Sequence, residues 1–405
     1  MGEADHSCEV LIVGAGPAGL SVASALPDDV RTVIVHQDKE IGLPVRTSGG
    51  SWLSDIKRIG IPNGMFNRLT KNEIFADDAH GYLPLDQAAP VVLDTPEVYR
   101  WLARQSDKKD RELLLASKFI TTRALADGRY ESDIRLRDGA ERRIVSRYIV
   151  DASGWHFAVL TALGLANKPE RLGIGTEYEY PIGENDPNRG VIFLGSKVPS
   201  GYGWSFGTAR GTLRIGVGVI QPDTDESPKE LLDAVVRDTA FLDRLGLKLA
   251  GDPIVHSGIL PSVPYDDRLV FGNVIRVGDS AGFATPALGE GIRICIDLGK
   301  VLGAQLGEAV KTGRHAPLMA YERQCRRRLK RDYKWGFQMN TRIARYGPKD
   351  WDAAVRRIGK LGPDAVVATF RGEFPLHKIV KITWQVWRTL LRSRLRRLGA
   401  KLGLS

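Results

Sequence analysis

Two glycine-rich stretches far apart in the chain carry the groups best suited to chemistry. The first, Gly14-Ala15-Gly16-Pro17-Ala18-Gly19, follows the apolar run Cys8-Glu9-Val10-Leu11-Ile12-Val13. A strand that turns through G-x-G-x-x-G into a helix leaves backbone N–H groups aimed at a pyrophosphate, and the helix dipole favours the anion. The second stretch, Val277-Gly278-Asp279-Ser280-Ala281-Gly282-Phe283, puts an acid at a strand end, and Pro286 and Gly289-Glu290-Gly291-Ile292 follow it. Asp279 can accept hydrogen bonds from the hydroxyls of a ribityl chain; it would equally serve as a helix N-cap. The Gly289–Ile292 turn can aim N–H groups at a ring edge where negative charge collects on reduction. Together the stretches hold a dinucleotide from both ends, which is the pattern of a flavoprotein with non-covalent FAD. A third group, Tyr202, Trp204 and Phe206, alternates with smaller residues, so all three fall on one face of a strand. That face is either a sheet core or the wall of an apolar cavity whose π-faces could steady a developing cation.

The elements that must position these groups can be read from hydropathy. Residues 8–13 form a buried parallel strand, 17–26 the following helix and 31–35 the next strand, a β-α-β unit. Residues 41–51 form a Gly/Ser-rich loop. A helix is expected over 96–105, with Pro96 in its first turn. Strands are expected over 134–136 and 143–150, with an Asp138-Gly139 turn between them. From about 173 to 220 the pattern alternates like an antiparallel sheet, and after Gly291 the chain reads as helical. The dinucleotide fold usually ends its second strand with an acid for the ribose hydroxyls; here Thr32-Val33-Ile34-Val35 leads to His36, which can still bond a hydroxyl or simply end the strand.

These motifs, with the loop Ile41-Gly42-Leu43-Pro44-Val45 and the strand end Val150-Asp151-Ala152-Ser153-Gly154, resemble the geranylgeranyl reductase family, within the larger flavin monooxygenase- and halogenase-like group. The resemblance covers roughly residues 8–310. The segment Pro199-Ser200-Gly201-Tyr202-Gly203-Trp204-Ser205-Phe206 is similar to that family's P-x-x-Y-x-W-x-F-P substrate motif, with Gly207 in place of the last proline. Thr47 stands where the family often has cysteine, and Thr95 where it often has arginine.

The resemblance implies an α/β fold in which a Rossmann-like FAD-binding domain (1–75, 92–170 and 262–312) is interleaved with an antiparallel-sheet substrate domain (76–91 and 171–261). A C-terminal helical cap (313–405) follows. It implies cofactor contacts at Gly14, Gly16, Pro17, Ala18, Gly19, His36, Ile120, Asp279, Pro286, Gly289, Gly291 and Ile292. Arg46, Thr47, Ser48 and Gly50 would line the flavin from the other side. Tyr202, Trp204 and Phe206 would wall a tunnel for a prenyl chain, with Tyr202 and Thr47 as candidate catalytic groups. The expected reaction is saturation of isoprenoid double bonds, with electrons from NAD(P)H or another donor. An oxygen-using hydroxylase or halogenase, and a non-redox isoprenoid cyclase or lipid binder, are the alternatives. Tyr202-Gly203-Trp204 matches only the second aromatic of the halogenase W-x-W motif, and Ser153-Gly154 replaces the hydroxylases' Asp-Gly.

Bulk composition narrows the classes further. The three cysteines, Cys8, Cys295 and Cys325, have no metal-ligand or C-x-x-C spacing, so no metal site is expected and a reducing cytoplasm is the simple compartment. Met1 to Ser7 lacks the layout of a secretory signal, and no apolar run reaches the roughly 18–20 residues that span a bilayer. Net charge is +10. It concentrates in Arg323–Lys334 and in the tail from Lys378, where Val380, Trp384, Trp387, Leu391, Leu395 and Leu398 recur every three or four residues. A stripe of this kind suits a helix lying on an anionic membrane surface, or one packed on the body with a basic outer face. No nucleic-acid module is visible.

Overall fold

The computed structural model describes residues 6–85, 88–358 and 360–374. The run predicted as the first strand is His6–Val13, and from Val10 to Val13 it is buried on both faces, as an interior parallel strand must be. It pairs in parallel with Thr32–Val35 on one side and Glu141–Asp151 on the other. Arg111–Leu114 and Val274–Arg276 extend the sheet in parallel at the two edges of this core. A hairpin-linked pair, Lys118–Ala124 and Tyr130–Arg135, hangs antiparallel from Glu141–Asp151. Both glycine stretches thus leave the carboxyl ends of parallel strands that flank Glu141–Asp151, where α/β sheets bind ligands.

Helix Pro17–Ala25 packs against the long helix Ile292–Thr312. The contact is close because Gly299, Gly303 and Gly307 fall four residues apart on one stripe. A Cβ at Gly299 would lie 2.8 Å from the Ala18 carbonyl oxygen, and one at Gly303 would collide with the Val22 carbonyl. The N-termini of both helices are thereby held at one end of the sheet.

The second layer is a seven-stranded sheet. Its centre is the antiparallel set Leu172–Pro181, Thr212–Gln221, Val198–Gly207 and Arg189–Gly195, flanked by Ile254–Pro261 on one side and Lys71–Phe75 with His80–Tyr82 on the other. Lys71–Phe75 pairs in parallel with Arg189–Gly195 of this sheet. One face packs Tyr178, Tyr180, Ile215 and Val217 under helices Pro228–Arg237 and Thr239–Leu245. The other face looks toward the nucleotide layer. There Gly258 lies so near the Arg46 carbonyl that any side chain would collide with it.

Helices Ala316–Ile343, Pro348–Ile358 and Pro363–Arg371 close the C-terminal side. An ionic mesh ties them down: Arg293 reaches Glu373 at 3.1 Å, Arg371 reaches Asp55 at 2.7 Å, and Arg328 reaches Asp297 at 2.8 Å. The basic stripe from Lys378 lies outside the described residues. No helix among the described residues is long and apolar enough to cross a membrane.

Candidate active site

The two layers enclose a cavity of about 1100 Å³. Its floor begins at the phosphate turn. Gly14 has a φ of +112°, and a side chain there would strike the Ala152 carbonyl. A side chain at Gly19 would strike the Gly14 carbonyl, so Gly19 serves the packing of turn on helix and does not line the cavity. Gly16 is different: a Cβ there would meet nothing within 4 Å. The space over Gly16, at the N-cap of helix Pro17–Ala25, is where a pyrophosphate can approach bare backbone.

His36 and Ile120 line the same region. The His36 ring is committed to the protein. Its Nδ1 accepts from the Ala15 N–H at 3.3 Å, and its Nε2 lies 3.3 Å from Asp38. Burial lowers its pKa, only partly countered by Asp38, so the neutral ring braces the turn. The acid sought at the strand end stands two residues later, as Asp38. It grips Arg46 through two hydrogen bonds of 2.6 and 2.9 Å.

Arg46, Thr47 and Ser48 line the cavity, whereas Gly50 is paired in the strand Gly50–Trp52 and does not. The carbonyls of Thr47 and Ser48 accept from Arg214 at 3.5 and 3.3 Å. The Thr47 hydroxyl accepts from the Gly49 N–H at 3.4 Å. Thr95, opposite this loop, has a buried hydroxyl oxygen with no hydrogen-bond partner among the described residues.

The second glycine stretch forms the opposite wall. The Asp279 side chain makes no hydrogen bond or ion pair among the described residues, and burial pushes its pKa up to about 6. Pro286, Gly289, Gly291 and Ile292 all line the cavity. Not every N–H of the turn faces it. Those of Gly289 and Glu290 are taken by the Thr285 carbonyl at 2.8 Å and hydroxyl at 3.1 Å. Gly291, the N-cap of helix Ile292–Thr312, carries no capping side chain, and the N–H groups of Gly291 and Ile292 have no acceptor among the described residues.

The roof supplies Tyr202 and Trp204; Phe206, on the same face farther along Val198–Gly207, does not reach the cavity. The Trp204 indole lies across glycines of the adjoining strands. A Cβ at Gly216 would sit 2.5 Å from it, one at Gly218 3.3 Å and one at Gly175 3.4 Å. Its Nε1 donates to Glu177 at 3.0 Å. Tyr202 donates its hydroxyl proton to the Leu288 carbonyl at 2.6 Å, and burial pushes its pKa up to about 12. The two candidate catalytic hydroxyls are thus already engaged, Tyr202 as donor and Thr47 as acceptor. Glu177, Glu179, Arg214 and His256, none marked by the sequence motifs, form an ionisable group beside Trp204. A signal for them existed: Glu177 and Glu179 alternate with tyrosines, so the acids share the face that Gly173 and Gly175 open.

Open space over Gly16, an unpartnered carboxylate at Asp279, an orphaned hydroxyl at Thr95 and free N–H groups at a helix start fit a dinucleotide with a redox ring. Fold and site together define a Rossmann-type flavoprotein. No family model matches the chain. It is 26% identical over 323 residues to digeranylgeranylglycerophospholipid reductase 3 of Methanosphaera stadtmanae, covering 75% of this chain and 78% of that one. It is 27% identical over 342 residues to the digeranylgeranylglycerophospholipid reductase of Methanocaldococcus jannaschii, covering 80% and 83%. Among solved structures, a geranylgeranyl bacteriochlorophyll reductase-like protein of Thermoplasma acidophilum superposes with a TM-score of 0.76 at 19% identity, covering 92% and 97%. The p-nitrophenol 4-monooxygenase of Pseudomonas putida shares the fold at a TM-score of 0.70 and 16% identity, covering 91% and 97%. The chain is a flavoprotein oxidoreductase that is similar in sequence to reductases of geranylgeranyl-bearing lipids.

Proposed function

We propose that this protein saturates carbon–carbon double bonds of an isoprenoid chain carried by a lipid, with FAD as its cofactor and NAD(P)H or another donor as the source of electrons. The observation that carries the reading is the continuity of the cavity. It runs from the glycine cradle past Tyr202 and Trp204 into an apolar gallery walled by Ile343, Trp351, Ile358 and Phe370. A gallery of that make-up suits a long greasy chain. The curated relatives named above, reductases of a lipid with geranylgeranyl chains, support the same class of substrate.

When bound, FAD supplies the redox chemistry of hydride transfer. The chain's residues do the rest. The backbone at Gly16 and the start of helix Pro17–Ala25 would hold the pyrophosphate, and Asp279 would accept from ribityl hydroxyls. The N–H groups of Gly291 and Ile292 would favour negative charge at the ring edge set against them. Trp204, wedged on its glycines, and Tyr202, pinned to Leu288, present rigid faces that align the alkene. The C-terminal helices exclude water from the gallery. We further propose that the basic tail rests on an anionic membrane from which such a lipid is collected.

The test is direct. Protein reconstituted with FAD is given a geranylgeranyl-bearing lipid and a reductant, and the product is weighed by mass spectrometry. A gain of two hydrogens per reacted bond supports the reading. Incorporation of oxygen selects the monooxygenase alternative, and rearrangement without consumption of reductant selects the cyclase.

A further inference from the structure

Adding hydrogen across an isolated double bond needs a proton as well as a hydride; of the two hydroxyls suggested by sequence, Tyr202 already gives its proton to the Leu288 carbonyl and Thr47 is an alcohol, a far weaker acid than a carboxyl. The roof holds a better candidate. Glu177 is buried, with a relative exposure of 3%, and lines the cavity. Its Oε2 accepts from Trp204 Nε1 at 3.0 Å. Its Oε1 has no hydrogen-bond partner among the described residues and lies 3.6 Å from Arg214 Nε.

The groups packed around it explain why it stands apart from its neighbour. Glu177 and Glu179 lie two residues apart on one face of Leu172–Pro181. Arg214, from the adjoining strand, is the cation between them, and its Nε donates to Glu179 at 2.9 Å rather than to Glu177. Its Nη1 turns to the Thr47 and Ser48 carbonyls. His256, from the strand on the other side, sits 2.9 Å from Glu179, and Thr212 donates to the same carboxylate at 2.7 Å. Glu179 therefore collects the cation and the donors, while Glu177 keeps one indole N–H. Burial alone would raise both carboxyls. For Glu179 the His256 bond, the Arg214 charge and Thr212 outweigh it and bring the carboxyl down to about 2. For Glu177 burial prevails over Arg214 and Trp204, and its pKa is raised. A pair of acids pushed apart in this way is the usual layout of a site that keeps one protonated.

We propose that Glu177 is the acid of this site: its carboxyl, held by Trp204 and open at Oε1, delivers the proton to the substrate double bond. The step balances as follows. The O–H bond at Glu177 breaks, and the π pair of the alkene forms a new C–H bond with that proton. The neighbouring carbon, left short of electrons, accepts a hydride whose two electrons come from the reduced cofactor. The Glu177 carboxylate recovers its proton from water once product has left. This inference rests on the reductase reading and gives it a residue.

The test uses the holoenzyme and the variants E177Q and E177D. Gln keeps an oxygen to accept from Trp204, so E177Q should fold and retain FAD. Infrared spectroscopy near neutral pH should show the carbonyl stretch of a protonated carboxyl in the unmodified enzyme, shifted in D2O and missing in E177Q. With an isoprenoid lipid, E177Q should lose at least about 100-fold in kcat with little change in KM, as removal of a general acid does. E177D should restore the band and part of the rate. A band that persists in E177Q, or a kcat within about threefold of the original, overturns the assignment. Failure of the unmodified enzyme to reduce any isoprenoid, with the band present, instead overturns the reductase reading and the proton transfer with it.

Discussion

Asp279 is the residue whose replacement should reveal most about the cofactor site. In the protein alone its carboxylate is desolvated and unpartnered, and its pKa rises from 3.8 to about 6. That shift of about 2 units corresponds to about 3 kcal/mol of destabilisation at neutral pH. The sign follows from the direction of the shift. The cost is fully present above about 6 and vanishes as the pH falls toward the unfolded value near 3.8. Asp279→Asn removes the charge, so the FAD-free variant should be more stable than the parent by up to about 3 kcal/mol. Binding should move the other way. Hydrogen bonds from ribityl hydroxyls to a charged acceptor contribute roughly 1.5–3 kcal/mol, and their loss weakens FAD by about 10- to 150-fold. Because the cofactor favours the ionised form, affinity of the parent should rise with pH up to about 6 and then level off, whereas the Asn variant should be flat. Flavin fluorescence titrations across pH, paired with thermal unfolding of the FAD-free proteins, measure both effects. An Asn variant that is less stable without FAD, or that binds FAD as tightly as the parent, would refute the assignment and leave Asp279 a structural residue.

Gly216→Ala places a methyl 2.5 Å from the Trp204 indole; it should cost roughly 1–3 kcal/mol by overpacking and lower isoprenoid turnover while FAD content holds, both checked on the purified variant. Arg214→Met leaves Glu177 and Glu179 without their shared cation; unfolding by urea should show a loss of about 3–5 kcal/mol at neutral pH. That deficit should shrink on acidification, as Glu179, robbed of the cation that holds its pKa down, then protonates more readily in the fold, and a pH-independent deficit would reduce Arg214 to packing. Removing residues 378–405 should leave FAD binding intact while cutting retention on anionic liposomes and turnover of membrane-embedded lipid; undiminished liposome binding would reject the membrane role.

How much was legible in sequence depends on the range of the forces involved. The phosphate turn was legible because its pattern is short and partly local: Gly19 meets the Gly14 carbonyl and Gly16 must stay bare, although Gly14 itself answers to the Ala152 carbonyl at the end of a strand distant in sequence. The strands of the nucleotide sheet were legible because burial on both faces leaves unbroken apolar runs such as Val10–Val13. Charge compensation across strands was not legible. Arg214 answers Glu177, Glu179 and the Thr47 and Ser48 carbonyls from sites 35 to 167 residues away, and no spacing rule foretells that meeting. Nor could periodicity tell Phe206 from Trp204. Both lie on one face of their strand, but the cavity ends before Phe206.

The glycines of the roof show how the two kinds of information combine. Taken singly, Gly175, Gly216 and Gly218 look like weak points in strands, because glycine gives a sheet neither packing nor stiffness. Across three strands they make one trough, and the trough is filled by the Trp204 indole. The motif that names Trp204 is therefore half a device. Its other half is distributed over Leu172–Pro181 and Thr212–Gln221, where the residues that are missing matter as much as those present. The same trough brings the indole N–H within 3.0 Å of Glu177 Oε2, while Oε1 is buried without a hydrogen bond among the described residues. Substituting a glycine of the trough should thus disturb proton delivery as well as alkene alignment, although no glycine touches a proton.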